Sequence, residues 1–201
     1  ILPSAHIFQR TEVTVFEAVV YNPVICLILQ GRKEMNVGYQ FVELGEGDVL
    51  LVSHDLPVAS KITQASTECP YQALIFSLDL SILRGLYEQV GESVSHKNHA
   101  TSLSASKADP AWTEPMVRYL ELMNKPIDAR VLGPMIFKEI HYRLLLSPIG
   151  GMLRNLLSVD SHASRIAKSI QWIRAKFREP LVVGALAQVA GMSQSSFHEH
   201  F

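Results

Sequence analysis

Eight histidines and two cysteines are the side chains in this chain best suited to hold a metal or activate a nucleophile. Their spacing argues against both uses. His198 and His200 lie two apart in a stretch that reads as helix, so their side chains diverge and cannot chelate one ion. Glu139 and His141 fail for the same reason. His96 and His99 lie in a polar loop with no further ligand nearby. Cys26 sits in an apolar run and Cys69 precedes a proline, with no C-x-x-C and no even ladder of spacings, so buried reduced thiols are expected. Ser104-Ala-Ser-Lys107 fits the S-x-x-K of acyl-transfer enzymes, but it stands in what reads as a low-complexity loop without partner motifs. No G-x-S-x-G, Walker loop or dinucleotide fingerprint occurs. The expectation is no catalytic residue, no metal and no cofactor.

Four residues suit non-covalent recognition better. Tyr21, Cys26, His54 and Tyr71 fall on strands or strand ends and could offer polar contacts to a small molecule enclosed by a barrel. Each also reads as an ordinary barrel residue. His54 is the preferred candidate, since it follows DVLLVS near a barrel rim.

The elements that must position these residues change character along the chain. At 201 residues, 48% hydrophobic and 18% charged, the sequence has enough apolar material for a sizeable core. TVFEAVV (14–20), VICLILQ (24–30), YQFVEL (39–44), DVLLVS (48–53) and YQALIFSLD (71–79) read as short strands separated by Gly and Pro signals. No helical crossovers separate them, which argues for antiparallel pairing in a sandwich or barrel. After residue 79 LSILRGLYEQVG is helical, and a polar stretch over 92–110 reads as a loop. WTEPMVRYLELMN then carries Met116, Val117, Leu120 and Met123, and VLGPMIFKEIHYRLLL carries Ile136, Ile140 and Leu144 beside Phe137 and Leu145. These stripes fit either internal packing or an intersubunit helix pair. No apolar run approaches the ~20 residues of a membrane span. No secretory signal is visible, and a cytoplasmic protein is expected.

The end of the chain has a different pattern. Ser164 reads as an N-cap, followed by Ile166, Ile170, Ile173 and Phe177 on one face and a stop at Pro180. LVVGALAQVAGMSQSSFHEHF then sets Ala187 four residues before Gly191, with Ser193 where an N-cap belongs. These offsets read as a helix-turn-helix or as an ordinary helical hairpin. In the first reading Phe197 faces inward. Gln194, Ser195, His198 and Glu199 face out, where they could contact phosphate or base edges. The net charge is only −1, but residues 160–201 hold five Lys/Arg against three Asp/Glu. That bias permits nucleic-acid contact without demanding it.

Residues 166–201, IAKSIQWIRAKFREPLVVGALAQVAGMSQSSFHEHF, resemble the start of the DNA-binding domain of AraC/XylS-type transcription regulators. YNPVICLILQGRKEMNVG, GEGDVLLVSHDLPVAS, PYQALIFSLDLSILRGL and EIHYRLLLSPIGGMLRNL resemble the N-terminal module of one subgroup. The resemblance implies an α+β fold: a cupin-like antiparallel β-barrel, then a helical region and the start of a helix-turn-helix domain. The implied division is 1–108 as an effector-binding barrel, 109–158 as a dimerisation region and 159–201 as an incomplete DNA-binding domain, cut within its first unit. The tail is expected to be frayed and to bind DNA weakly by itself. Glu199 stands where the family often has a basic residue, and His200 where it often has an apolar one.

Cupin folds also host metal enzymes. The usual second metal motif, with its first glycine placed on Gly47, puts Ser53, Asp55, Val58 and Ile62 at its four remaining signature positions, all changed. The first motif should fall near 17–24, where EAVVYNPV has no histidine. The expected function is therefore a DNA-binding regulator, not an enzyme. Its expected partners are promoter DNA (in the full-length protein), an unknown small-molecule effector and a second copy in a homodimer, with no membrane. A metal-dependent cupin enzyme and a non-sensing dimerisation module are the alternatives.

Overall fold

The computed structural model describes residues 4–38, 40–90, 103–158 and 162–201. His96 and His99 lie outside them. Nine strands form two antiparallel sheets. The first sheet has the order β1 (Ala5–Arg10), β8 (Tyr71–Ser77), β3 (Val24–Gln30), β6 (Asp48–Val52), β9 (Leu103–Lys107). The second has the order β2 (Glu17–Tyr21), β7 (Leu56–Gln64), β4 (Arg32–Val37), β5 (Gln40–Leu44). Their inner faces share one core of Val24, Cys26, Ile28, Met35, Leu44, Leu50, Val52, Val58, Ile62 and Tyr71, which makes the pair of sheets a barrel. The α+β class and the β-rich module followed by helices match the expectation.

The outer face of the first sheet is covered as well. Ile25, Val49, Leu51 and Phe76 point away from the barrel into a layer of helices: α1 (Leu80–Val90), α2 (Pro110–Leu120), α3 (Pro126–Leu146) and α4 (Gly151–Leu157). Burial on both faces explains why DVLLV lacks the alternation of a half-exposed strand. Asp79 starts α1, its Oδ1 accepting from the backbone N–H groups of Ser81 at 2.8 Å and Ile82 at 3.2 Å. Phe76, Tyr119 and Phe137 meet in one aromatic cluster with centroids 5.3–5.8 Å apart, joining sheet, α2 and α3.

Several expectations need correction. β1, β4, β7 and β9 lie outside the stretches whose sequence reads as strand. Pro57 reads as a break, yet β7 runs through it. At Pro57 the strand pairs with β2 alone, beyond its last β4 pair at Ala59, so no central ladder loses a donor. Ser104–Lys107 is not a loop but part of edge strand β9, paired with β6. Positions three apart on a strand face opposite sides, so Ser104 and Lys107 form no catalytic pair; Lys107 instead pairs with Asp48 at 2.6 Å. On α2 the buried face is Trp112, Met116 and Tyr119, whereas Val117 is exposed, as is Met123 in the 3-10 turn that follows, Glu121–Asn124. On α3 Ile140, Leu144 and Leu145 are buried as the stripe suggested.

The last three helices, α5 (His162–Lys176), α6 (Val183–Ala190) and α7 (Gln194–His200), enclose a small core of Ile166, Leu186, Ala187, Ala190 and Phe197. Gly191 joins α6 to α7 at φ +63°, ψ +37°, a conformation that favours glycine. Ser193 caps α7, its hydroxyl accepting from the Ser196 N–H at 3.2 Å. The tail expected to fray is helical through His200, and Phe201 stacks on Phe197 at 4.9 Å. Among the described residues no helix is long and apolar enough to cross a membrane.

Candidate functional site

Three of the four expected binding residues converge. Tyr21 from β2, Cys26 from β3 and Tyr71 from β8 line a cavity of about 270 Å³ between the sheets, with Phe8, Val24, Ala73 and Ile75 as apolar neighbours. Tyr71 is 1% exposed and packs edge-on against Phe8 at 6.2 Å. Its hydroxyl makes no hydrogen bond among the described residues. Into this space β4 sends Lys33, whose Nζ donates to the Tyr21 hydroxyl and lies 5.0 Å from the centre of that ring. Lys61 lines the same cavity but is paired with Glu34 at 2.8 Å. Lys33 is half-buried and has no carboxylate partner among the described residues.

Burial favours the uncharged forms of two groups in this cavity, Cys26 and Tyr71. Burial pushes the Cys26 thiol up to about 11, against a smaller opposing pull from the Lys33 charge. Cys26 is thus an inert thiol rather than a nucleophile. Burial also raises the Tyr71 phenol, with Cys26 and Tyr21 adding to the shift. The cavity sets three cationic side chains, Arg10, Lys33 and Lys61, and one carboxylate, Glu17, among phenols, a thiol and hydrocarbon. Its shape and mixed lining suit binding and orienting a small ligand. Among the described residues no group of three or more His, Cys, Asp or Glu is placed to hold a metal.

Lys33 was missed because GRKEMNV looks polar. The available signal was period two: Lys33, Met35 and Val37 share one face, and Met35 is fully buried in the barrel core.

His54 does not join this cavity. It lies in the turn between β6 and β7, 6% exposed, with Nδ1 3.0 Å from the Ser53 hydroxyl. It faces the junction between barrel and α5 and lines two clefts there. At the same junction Arg174 of α5 donates to the Asp55 carboxylate and, at 3.2 Å, to Asn22 Oδ1.

Gln194, Ser195, His198 and Glu199 are all exposed on α7, opposite buried Phe197. Gln194 also reaches back over α6, where a Cβ on Gly184 would stand 2.8 Å from its Nε2. His200 stacks on His162 at 4.0 Å and lines the barrel-side cleft.

Known proteins fit this arrangement. The family described as the AraC-type transcriptional regulator N-terminus matches residues 1–152. No curated protein sequence matches the chain. Among solved structures, an apo ToxT variant from Vibrio cholerae is similar with a TM-score of 0.57 at 9% identity, over 98% of this chain and 73% of that one. The AraC-like transcriptional activator CuxR gives a TM-score of 0.42 at 14% identity, over 100% and 71%. Unsaturated fatty acid-bound ToxT from Vibrio cholerae gives 0.39 at 10%, over 98% and 89%. The likeness to the first is one of fold, reached with almost no shared sequence. With a family match over three quarters of its length, the chain belongs to the AraC-type transcriptional regulators.

Proposed function

We propose that the protein is an effector-responsive, DNA-binding regulator whose barrel, residues 1–108, takes a small organic acid. The observation that carries this reading is Lys33. A half-buried ammonium without an ion-pair partner among the described residues, in a cavity whose cations Arg10, Lys33 and Lys61 outnumber its one carboxylate, Glu17, is poorly compensated, and an anionic ligand would supply the missing charge. The open volume of about 270 Å³ speaks for sensing rather than for a barrel filled by its own side chains. The helical region, 109–158, would pair two copies. Support comes from α3, where Ile127, Val131 and Met135 repeat every four residues and are 69%, 60% and 64% exposed. Residues 159–201 would approach promoter DNA through the exposed side of α7, with Gln194, Ser195 and His198 near the groove. Glu199 would be held away from phosphate.

The experiment is a thermal-shift comparison of carboxylates with their uncharged amides, octanoate against octanamide and benzoate against benzamide. The carboxylate should stabilise the wild-type protein more than its amide, and Lys33→Met should abolish the preference. A charge-assisted hydrogen bond of roughly 1.5–3 kcal/mol corresponds to about tenfold or more in affinity. Equal stabilisation by acid and amide in the wild type would sink the reading.

A further inference from the structure

We propose a second binding site, for a small oxyanion, in the cleft where α1, α4 and α5 meet the rim of the barrel. Arg84, Lys168 and His54 would hold it. The cleft measures about 290 Å³ and is separate from the Lys33 cavity, with which it shares no residue. Its floor is apolar, built from Pro23, Leu80, Leu156 and Leu157. Its charged groups are Arg84 from α1, Lys168 from α5 and Asp55 from the barrel. The Asp55 carboxylate is already engaged by Arg174. Arg84 and Lys168 have no ion-pair or hydrogen-bond partner among the described residues. The walls therefore carry two unanswered positive charges and one answered negative one.

His54 supplies the independent observation. Its side chain is buried and lines this cleft as well as the barrel-side one, and its Nε2 has no hydrogen-bond partner among the described residues. A buried polar atom left unpaired is costly, and a small turn of the ring would bring Nε2 to an acceptor bound in the adjoining cleft. Burial keeps the ring neutral, against a smaller opposing effect of the Asp55 charge. In the tautomer where the Ser53 hydroxyl donates to Nδ1, Nε2 carries the proton and needs an acceptor. The two neighbouring cations select an acceptor that is an anion. Carboxylate and phosphate share the required chemistry.

The two cations stand on different parts of the fold. Arg84 belongs to the helical layer on the sheet, and Lys168 to the three-helix unit that carries α7. An oxyanion bound to both would clamp α5 against the barrel and alter how α7 is presented, independently of the Lys33 cavity.

The test is calorimetric titration of the protein with inorganic phosphate and with succinate, at constant ionic strength set by chloride. Binding of either probe is expected, and the stronger of the two names the class. Affinity should fall at least tenfold in Arg84→Gln and in Lys168→Gln and disappear in the double variant. Lys176→Gln, on α5 but outside the cleft, should bind as the wild type does. Both cleft cations are exposed, so melting temperatures should hold. In the wild type the His54 Nε2 resonance should move during titration, a readout that needs no variant. Neither probe binding, unchanged binding in the double variant, or a high-resolution crystal structure with only water beside Nε2 in saturating probe would each overturn the proposal.

Discussion

His141 can be accommodated only as a neutral ring. Its Nε2 accepts from the Asp79 backbone N–H at 2.8 Å, and its Nδ1–H donates to the Phe137 carbonyl at 2.7 Å, inside the layer between α3 and the sheet. Burial holds its pKa below the usual histidine value, outweighing the opposite effects of the Phe137 bond and the Asp79 charge. The folded pKa thus lies below the unfolded one, about 6.5. The stability contributed is fully present above that value and is lost as pH falls through the folded pKa. His54 acts in the same sense. Calorimetry should show the melting temperature falling below about pH 6.5, and His141→Gln should reduce that slope while lowering the melting temperature at pH 7.5. Arg154 is a second buried polar group with a structural task. Its Nη1 donates to the carbonyl of Leu145, in the last turn of α3, and to that of Ser147 just beyond it. Arg154→Met relieves a desolvated charge but orphans the Leu145 carbonyl, while that of Ser147 keeps the Gly150 N–H at 3.1 Å. Urea denaturation should register a net loss of about 2 kcal/mol. Neither role is legible in the sequence, where His141 pairs only with Glu139 as a failed chelate and Arg154 looks like a surface cation. Both depend on what another element brings opposite them.

At the scale of elements, the strands that could be read were those whose burial leaves a hydrophobic signature. VICLILQ and DVLLV are apolar throughout because the first sheet is covered on both sides. The second sheet has one covered face, so β4 and β7 mix charged and apolar residues, and Pro57 and the Arg-Lys-Glu run obscure a period of two. The cost of missing β4 was missing Lys33. The helices show the converse problem: α2 and α3 have apolar residues on more than one side, and the sequence cannot say which side the sheet covers. The structure leaves Ile127, Val131 and Met135 outside. If that face pairs two copies, Val131→Glu with Met135→Glu should leave the monomer's melting temperature within about 1 kcal/mol of equivalent stability, since both positions are exposed. Sedimentation velocity should show the same variant shifted to monomer at concentrations where the wild type is dimeric. An unchanged sedimentation coefficient would remove α3 from the interface.

For the whole molecule, the order of barrel, helices and terminal three-helix unit was readable because composition and periodicity change at each step. The positions of the sites were not. His54 looked like a companion of Tyr21, Cys26 and Tyr71, since all four lie on or beside strands. Folding sends three of them inward and places His54 at the barrel's junction with α5, beside the Asp55–Arg174 pair. That junction joins the part of the molecule with the Lys33 cavity to the part that presents α7. Ligand in the barrel can affect DNA only if it changes the balance between arrangements of these two parts. If the protein binds promoter DNA as proposed, the direct measurement is its affinity for a promoter fragment recovered by selection, with and without a carboxylate that stabilises the barrel in a Lys33-dependent way. A coupling of 1–3 kcal/mol predicts a change of about five- to 150-fold, absent in Lys33→Met. Operator affinity unchanged at saturating ligand would contradict the account.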